Sequence, residues 1–184
     1  MKPINFVEGD LFSYIRGREN HVVIPHVVNS EGRFAAGFVV PLARNFPIAK
    51  ESYEAWHSKE FVDSGAHGSP PFEFGEVLFV DVDEKITVAH MLAQTLGGVR
   101  PLYYNHLVRC MERIADYVHG EHCLNCEVIC PLFGSNLAGG CFGFIAELIR
   151  DIWTGTDVPV TVCYLNTDEL DRAFYPFMSP KYDK

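Results

Sequence analysis

Apolar residues along this chain come in short runs separated by longer amphipathic stretches. "INFV" at 4–7 is an apolar run that leads into Glu8-Gly9-Asp10, which predicts a strand ending in a loop. "HVVIPHVV" at 21–28 predicts a second apolar strand, with Pro25 expected to interrupt it. "SEGRFAAGF" at 30–38 has the composition of a loop. From Phe38 to Trp56 the pattern turns helical, with breaks expected at Pro41 and Pro47. "SGAHGSPPFEFG" at 64–75 is again a loop by composition. "EVLFVDV" and "KITVAHML" predict two strands, and Asp83-Glu84 between them suits a hairpin turn. Leu102, Leu107, Met111, Ile114 and Val118 recur at helical spacing over 101–119. "EVICPLF" predicts a strand. "GGCFGFIAELIRDIW" at 139–153 predicts a helix with Phe144, Leu148 and Ile149 near one face, and "VPVTVCYL" at 158–165 a last buried strand. Residues 166–184 are polar, then aromatic, and show no assignable period.

Strands alternating with helices predict an α/β layered domain. The 184 residues suit one domain spanning 1–184, with 166–184 as an unassigned C-terminal tail. In such domains ligands bind where loops leave the carboxyl ends of strands. Three loops qualify: those after Val7, after Val28 and after Cys130.

Composition narrows the function. Hydrophobic residues make up 48% and charged residues 21%, which excludes a disordered chain. A net charge of -9 argues against general nucleic-acid binding or an anionic membrane surface. It leaves room for a small anion held by backbone amides and one or two arginines. No segment approaches the ~20 apolar residues of a membrane span. "MKPINFVEGD" has no basic region followed by an apolar run, so a signal peptide is not expected. The six cysteines are then expected as reduced thiols in a cytoplasmic protein.

The qualifying loops carry the candidate chemistry. "PLFGSNLAGG" at 131–140 opens into Gly134, Gly139 and Gly140 just before a helix. Glycine permits positive φ and close approach, and a helix N-terminus presents unpaired amides, which together suit a phosphate. A plain strand-to-helix turn is the alternative. In "NSEGRFAAGF" at 29–38, Gly32, Ala35, Ala36 and Gly37 leave a second stretch of backbone bare, and Arg33 offers a positive charge. Asn29 ends a buried strand and needs a partner there. Asp10 follows the first strand; it suits an exocyclic amine such as that of adenine, or an N-cap for the turn that follows.

These stretches, in this order, resemble the macrodomain family, the ADP-ribose-binding fold, over about Ile4 to Leu165. "GDLF" is similar to the family's opening strand and loop, "VVNSEGRFAAGFVVPLARNFP" to its first phosphate loop and helix, and "FGSNLAGG" to its second phosphate loop. "VAHMLAQ" at 88–94 is similar to a strand that in relatives often carries Asn where His90 stands. The nearest branch by this likeness includes ADP-ribose-1''-phosphate phosphatases, terminal ADP-ribose glycohydrolases and small phage or bacterial macrodomains. The resemblance implies a three-layer α/β/α fold with a mixed central sheet and ADP-ribose, or a related nucleotide, as ligand. It implies that Asp10 reads adenine, that Leu11 beside it contacts the ligand and that Asn29 bonds the distal ribose. Arg33, Ala35, Ala36, Gly37 and Phe38 would wrap the diphosphate and distal ribose from one side. Phe133, Gly134, Ser135, Asn136, Leu137, Ala138 and Gly139 would do so from the other, with Gln94 nearby. Many relatives carry an Asp in the second loop, where this chain has Ala138 and then Cys141-Phe142, and no Lys stands in "TVAHML".

The resemblance implies either a hydrolase that removes a 1''-phosphate or ADP-ribosyl group, or a non-catalytic sensor or sequestering protein. For hydrolysis the candidates are His26 and His90 as acid or base and Asn29 to orient ribose or water. Cys141 at a helix start is a weaker nucleophile candidate. "HGEHCLNC" at 119–126 holds His119, His122, Cys123 and Cys126, with Cys130 beyond. This CxxC is compatible with zinc, but no second CxxC or distant His pair completes a standard site. No metal and no cofactor are therefore expected.

Overall fold

The computed structural model describes residues 2–59, 66–68, 70–120, 123 and 125–175. Its strands are β1 (Asn5–Glu8), β2 (Val22–Asn29), β3 (Val77–Asp83), β4 (Ile86–Gln94), β5 (Glu127–Cys130) and β6 (Val160–Tyr164). They form one sheet in the order β1-β6-β5-β2-β4-β3. β3 runs antiparallel to β4 as the expected hairpin, and the other pairs are parallel, so the sheet is mixed. The helices are α1 (Leu11–Tyr14), α2 (Val39–Asn45), α3 (Pro47–Ser58), α4 (Tyr104–His119), α5 (Phe142–Ile152) and α6 (Thr167–Phe174).

Alternation along the strands sorts the helices into two outer layers. β2 sends Val22, Ile24 and Val28 into one core with Leu11 and Phe12 of α1, Leu42 of α2 and Tyr53 and Trp56 of α3. It sends Val23 into the other core, with Leu107 and Met111 of α4 and Ile145 and Ile149 of α5. β4 divides likewise, with Val88 and Leu92 on the first side and Ala89, Met91 and Ala93 on the second. Strands covered on both faces must be apolar throughout, which is why β2 and β4 read as unbroken runs. The result is the expected three-layer α/β/α arrangement.

Three expectations fail for local reasons. Pro25 does not interrupt β2, which is continuous from Val22 to Asn29. β5 pairs only with Val22 and Val23, so that ladder has ended before the proline, which has no hydrogen to donate. Pro41 does not break a helix either. It lies in the first turn of α2, where amides lack intrahelical acceptors in any case, while Pro47 begins α3 as the first helical residue. In α5 the buried face is Phe142, Ile145, Ala146 and Ile149, and Phe144 is 48% exposed. Finally, part of the unassigned tail is α6, capped by Asn166, whose side chain accepts from the Glu169 amide at 2.9 Å.

Strand order fixes where a ligand can enter. From β2 the chain crosses toward β4 and β3, and from β5 it crosses toward β6 and β1. The loops after β2 and β5 therefore leave neighbouring strands in opposite directions, which opens a crevice at their carboxyl ends.

Candidate functional site

A cleft of about 630 Å³ occupies this crevice. The loops after β1, β2 and β5 all line it, as the sequence predicts. It collects Asp10, Leu11, Asn29, Arg33, Ala36, Gly37, Phe38, Gln94 and the whole stretch Phe133–Gly139. Two expected residues stand apart. Ala35 is exposed and does not line the cleft, and His90 is fully buried beneath it.

The backbone supplies the chemistry the cleft presents. In the first loop the amides of Ala36, Gly37, Phe38 and Val39 donate to nothing among the described residues. In the second loop the same holds for the amides of Gly134, Ser135, Asn136 and Leu137. Unpaired amides that line a cleft seek an acceptor there, and clustered N–H groups suit an anion. Ser135 directs its hydroxyl to Leu132 O at 2.6 Å, which stiffens the second loop. Leu137 is 62% exposed and reaches toward Gly37, where its Cδ1 lies 3.1 Å from the place a Cβ would take. The two loops thus meet across the cleft.

Packing gives the glycines of the second loop a reason of its own to be bare. A methyl on Gly134 would lie 2.8 Å from Ile145 Cδ1, and one on Gly139 would lie 2.7 Å from the carbonyl oxygen of Val99. A methyl on Gly140 would run into the carbonyl oxygen of Gly134. Packing of the loop on the protein excludes these side chains, and φ values of +71 at Gly134 and +70 at Gly139 reinforce the choice.

Asn29 organises the first loop. Its Oδ1 accepts from the amides of Glu31 at 3.1 Å and Arg33 at 3.0 Å, and its Nδ2 donates to Arg33 O at 2.6 Å. Tyr53 donates its hydroxyl to Asn29 O at 2.6 Å. The carboxamide is largely committed to shaping residues 30–33, with one Nδ2 hydrogen left over. Asp10 meets its capping expectation: Oδ2 accepts from the Ser13 amide and hydroxyl, each at 2.8 Å. Its Oδ1 takes no hydrogen bond among the described residues, so capping leaves an acceptor for the cleft.

His26 and His90 lie side by side on β2 and β4, where strand register pairs them. His26 Nε2 and His90 Nδ1 are 2.7 Å apart. His26 Nδ1 and His90 Nε2 have no hydrogen-bond partner among the described residues. Phe34 and Phe38 pack on His26, and Tyr53 packs on His90. Burial pushes His26 down to about 3 and His90 well below the usual histidine range. Both imidazoles are therefore neutral near pH 7, and neither serves as an imidazolium acid there. Of the expected His pair, His26 lines the cleft and His90 is buried away from it.

Sequence reasoning missed one wall. Cys163, Tyr164 and Leu165 at the end of β6, with Glu169, Arg172 and Ala173 of α6, also line the cleft. Glu169 Oε2 accepts from the Leu165 amide at 2.6 Å, and Arg172 Nε donates to Asp168 O at 3.0 Å. The signal was Asn166 followed three residues later by Glu169, the pattern of a capped helix start. Cys141, the weak nucleophile candidate, is tied down instead: its amide donates to the Tyr104 hydroxyl and its thiol to Phe174 O.

No family model matches the sequence, and no curated protein matches it. Solved structures do. A protein of unknown function from Bacteroides thetaiotaomicron is 26% identical, with a TM-score of 0.75, over 88% of this chain and 97% of its own. A macrodomain protein from Streptomyces coelicolor is 30% identical, with a TM-score of 0.71, over 88% of this chain and 99% of its own. DarTG from Thermosipho africanus, in complex with ADP-ribose, is 16% identical, with a TM-score of 0.66, over 96% of this chain and 44% of its own.

Proposed function

The chain belongs to the macrodomain family, and from that premise we propose that its cleft binds ADP-ribose or a close derivative by the diphosphate. One observation carries the reading: two loops with unpaired amides face one crevice at the point where the strand order reverses. Amides of Ala36–Val39 take one side of the diphosphate and those of Gly134–Leu137 the other, with Arg33 at the rim. Asp10 Oδ1 accepts from the adenine amino group, between β1 and α6. The distal ribose lies over Asn29 and His26. The ADP-ribose complex of DarTG agrees with this choice of ligand.

Binding without turnover is the reading the side chains favour. Hydrolysis of a 1''-phosphate or an ADP-ribosyl ester needs a group that moves a proton near the distal ribose. The carboxylates among the described cleft residues are Asp10 and Glu169, both on the adenine side. The histidine pair is neutral and buried. Calorimetric titration tests the binding: ADP-ribose binds in the micromolar range and AMP much more weakly, because AMP brings one phosphate to a cradle for two. Equal affinities would remove the diphosphate from the account. Incubation with ADP-ribose-1''-phosphate or an ADP-ribosylated peptide releases no product above the spontaneous rate. Catalytic release would convert the sensor into a hydrolase.

A further inference from the structure

At the opposite end of the sheet, three metal-ligand side chains converge from two separate segments. An imidazole nitrogen of His21 and the sulfurs of Cys123 and Cys126 all lie within 4.8 Å of one another. Strand register explains the meeting. Val22 pairs with Glu127, and the Glu127 amide donates to His21 O at 2.9 Å, so His21 and Cys126 are the residues just before that pair. Asn125 adopts φ 60 between the cysteines, whose Cα atoms are 5.4 Å apart. In this structure the two sulfurs are joined as a disulfide, against the expectation of free thiols throughout. The four other cysteines are free.

The surroundings of His21 prepare it as a ligand. Thr87 Oγ1 donates its one hydrogen to Asp81 Oδ1 at 2.6 Å. The 2.7 Å contact between His21 Nε2 and Thr87 Oγ1 therefore has the histidine as donor. The proton is fixed on Nε2, and the lone pair is left on Nδ1. A ligating histidine is commonly held this way, its other nitrogen donating toward an oxygen that is itself oriented by a carboxylate. Cys123 and Cys126 are both buried, and two sulfurs with one imidazole match the donor preference of zinc.

We propose that the reduced protein binds one zinc ion through His21, Cys123 and Cys126, with solvent in the fourth position, at the closed end of β2 and β5. Two equivalents of an external thiol reduce the Cys123–Cys126 disulfide to two thiols and leave as one external disulfide. Zinc then displaces two protons and takes both thiolates. The ion joins the segments before the two strands whose ladder is only Val22 and Val23 long, and whose other ends part to form the cleft. The sequence hid this site because His21 is about a hundred residues from the cysteines, whereas the nearby His119 attracts attention.

Cobalt is the probe. Reduced, metal-free protein titrated with Co²⁺ takes up one equivalent, with a sulfur-to-cobalt charge-transfer band and the ligand-field bands of a tetrahedral ion. Zinc then bleaches both. The oxidised protein binds none. Cys126→Ser abolishes the charge-transfer band, and Thr87→Val, which leaves the ligands in place, weakens binding about tenfold. Cys141→Ser, a control away from the site, leaves the bands intact. ADP-ribose titration of each variant reports whether it is folded. A reduced wild-type protein that takes up no cobalt overturns the proposal, as does uptake indifferent to Cys126→Ser.

Discussion

Replacing Gly134 by alanine separates packing from ligand contact as the reason for a bare second loop. The residue has φ +71, and the new methyl would sit 2.8 Å from Ile145 Cδ1 and 3.1 Å from Leu102 Cδ2. The left-handed backbone costs a residue with a side chain about 1–2 kcal/mol. Crowding adds about 1 kcal/mol, the low end for an overpacked core, because both atoms in the way end flexible side chains. A loss of about 2–3 kcal/mol lowers the Tm of a domain this size by roughly 4–12 °C. Ile145→Val removes the nearest obstructing carbon, so the double variant recovers about 0.5–1 kcal/mol relative to additivity. The methyl points into the protein, so ADP-ribose affinity changes by less than about fivefold, under 1 kcal/mol. Denaturant unfolding of the four proteins of the cycle gives the coupling, and calorimetry gives the affinity. Unchanged stability with binding lost would show that the glycine serves the ligand, and the packing argument would be wrong.

Two further perturbations test other parts of the account. The folded-state pKa values of His26 and His90 lie below 6.5, so below that pH the unfolded chain binds more protons and stability falls as pH falls. Each histidine contributes a slope of about 1.4 kcal/mol per pH unit, which for His26 extends from 6.5 down to about 3. Unfolding between pH 7 and 4 measures it, and a slope unchanged in His26→Gln would assign the acid sensitivity elsewhere. Asp10→Ala removes both a cap and a ligand acceptor: stability drops by about 1 kcal/mol and ADP-ribose affinity about fivefold or more. Calorimetry of a variant that loses stability yet keeps full affinity would leave Asp10 as a cap alone.

Much of the fold was legible because its rules are local. Apolar runs bounded by turn residues marked all the strands, and helical spacing of Leu107, Met111, Ile114 and Val118 marked α4. The prolines misled because their cost depends on which hydrogen bonds a position needs. Pro25 lies past the end of a ladder and Pro41 in a first turn, and neither context can be read from the residue. Phe144 misled because spacing fixes a helical stripe only up to rotation, and the stripe that packs inward is Phe142, Ile145, Ala146 and Ile149. The site was legible as three loops, since the carboxyl ends of strands are predictable from their order along the chain. Its chemistry was less so. His90 looked available because alternation does not reveal how deep a residue lies, and the pairing of His26 with His90 is a matter of strand register. The same register brings His21 to Cys126, and α6 to the cleft edge came from a capping pattern hidden in a polar tail.

The central claim is that backbone amides of two loops hold one diphosphate. Amide chemical-shift mapping of ¹⁵N-labelled protein during titration with ADP-ribose tests it most directly. The account predicts that the largest shifts fall on Ala36–Val39 and Gly134–Leu137 together, at one saturating stoichiometry, and that AMP moves the amides near Asp10 while leaving the second loop nearly unmoved. Shifts confined to one loop, or concentrated away from both, would contradict it.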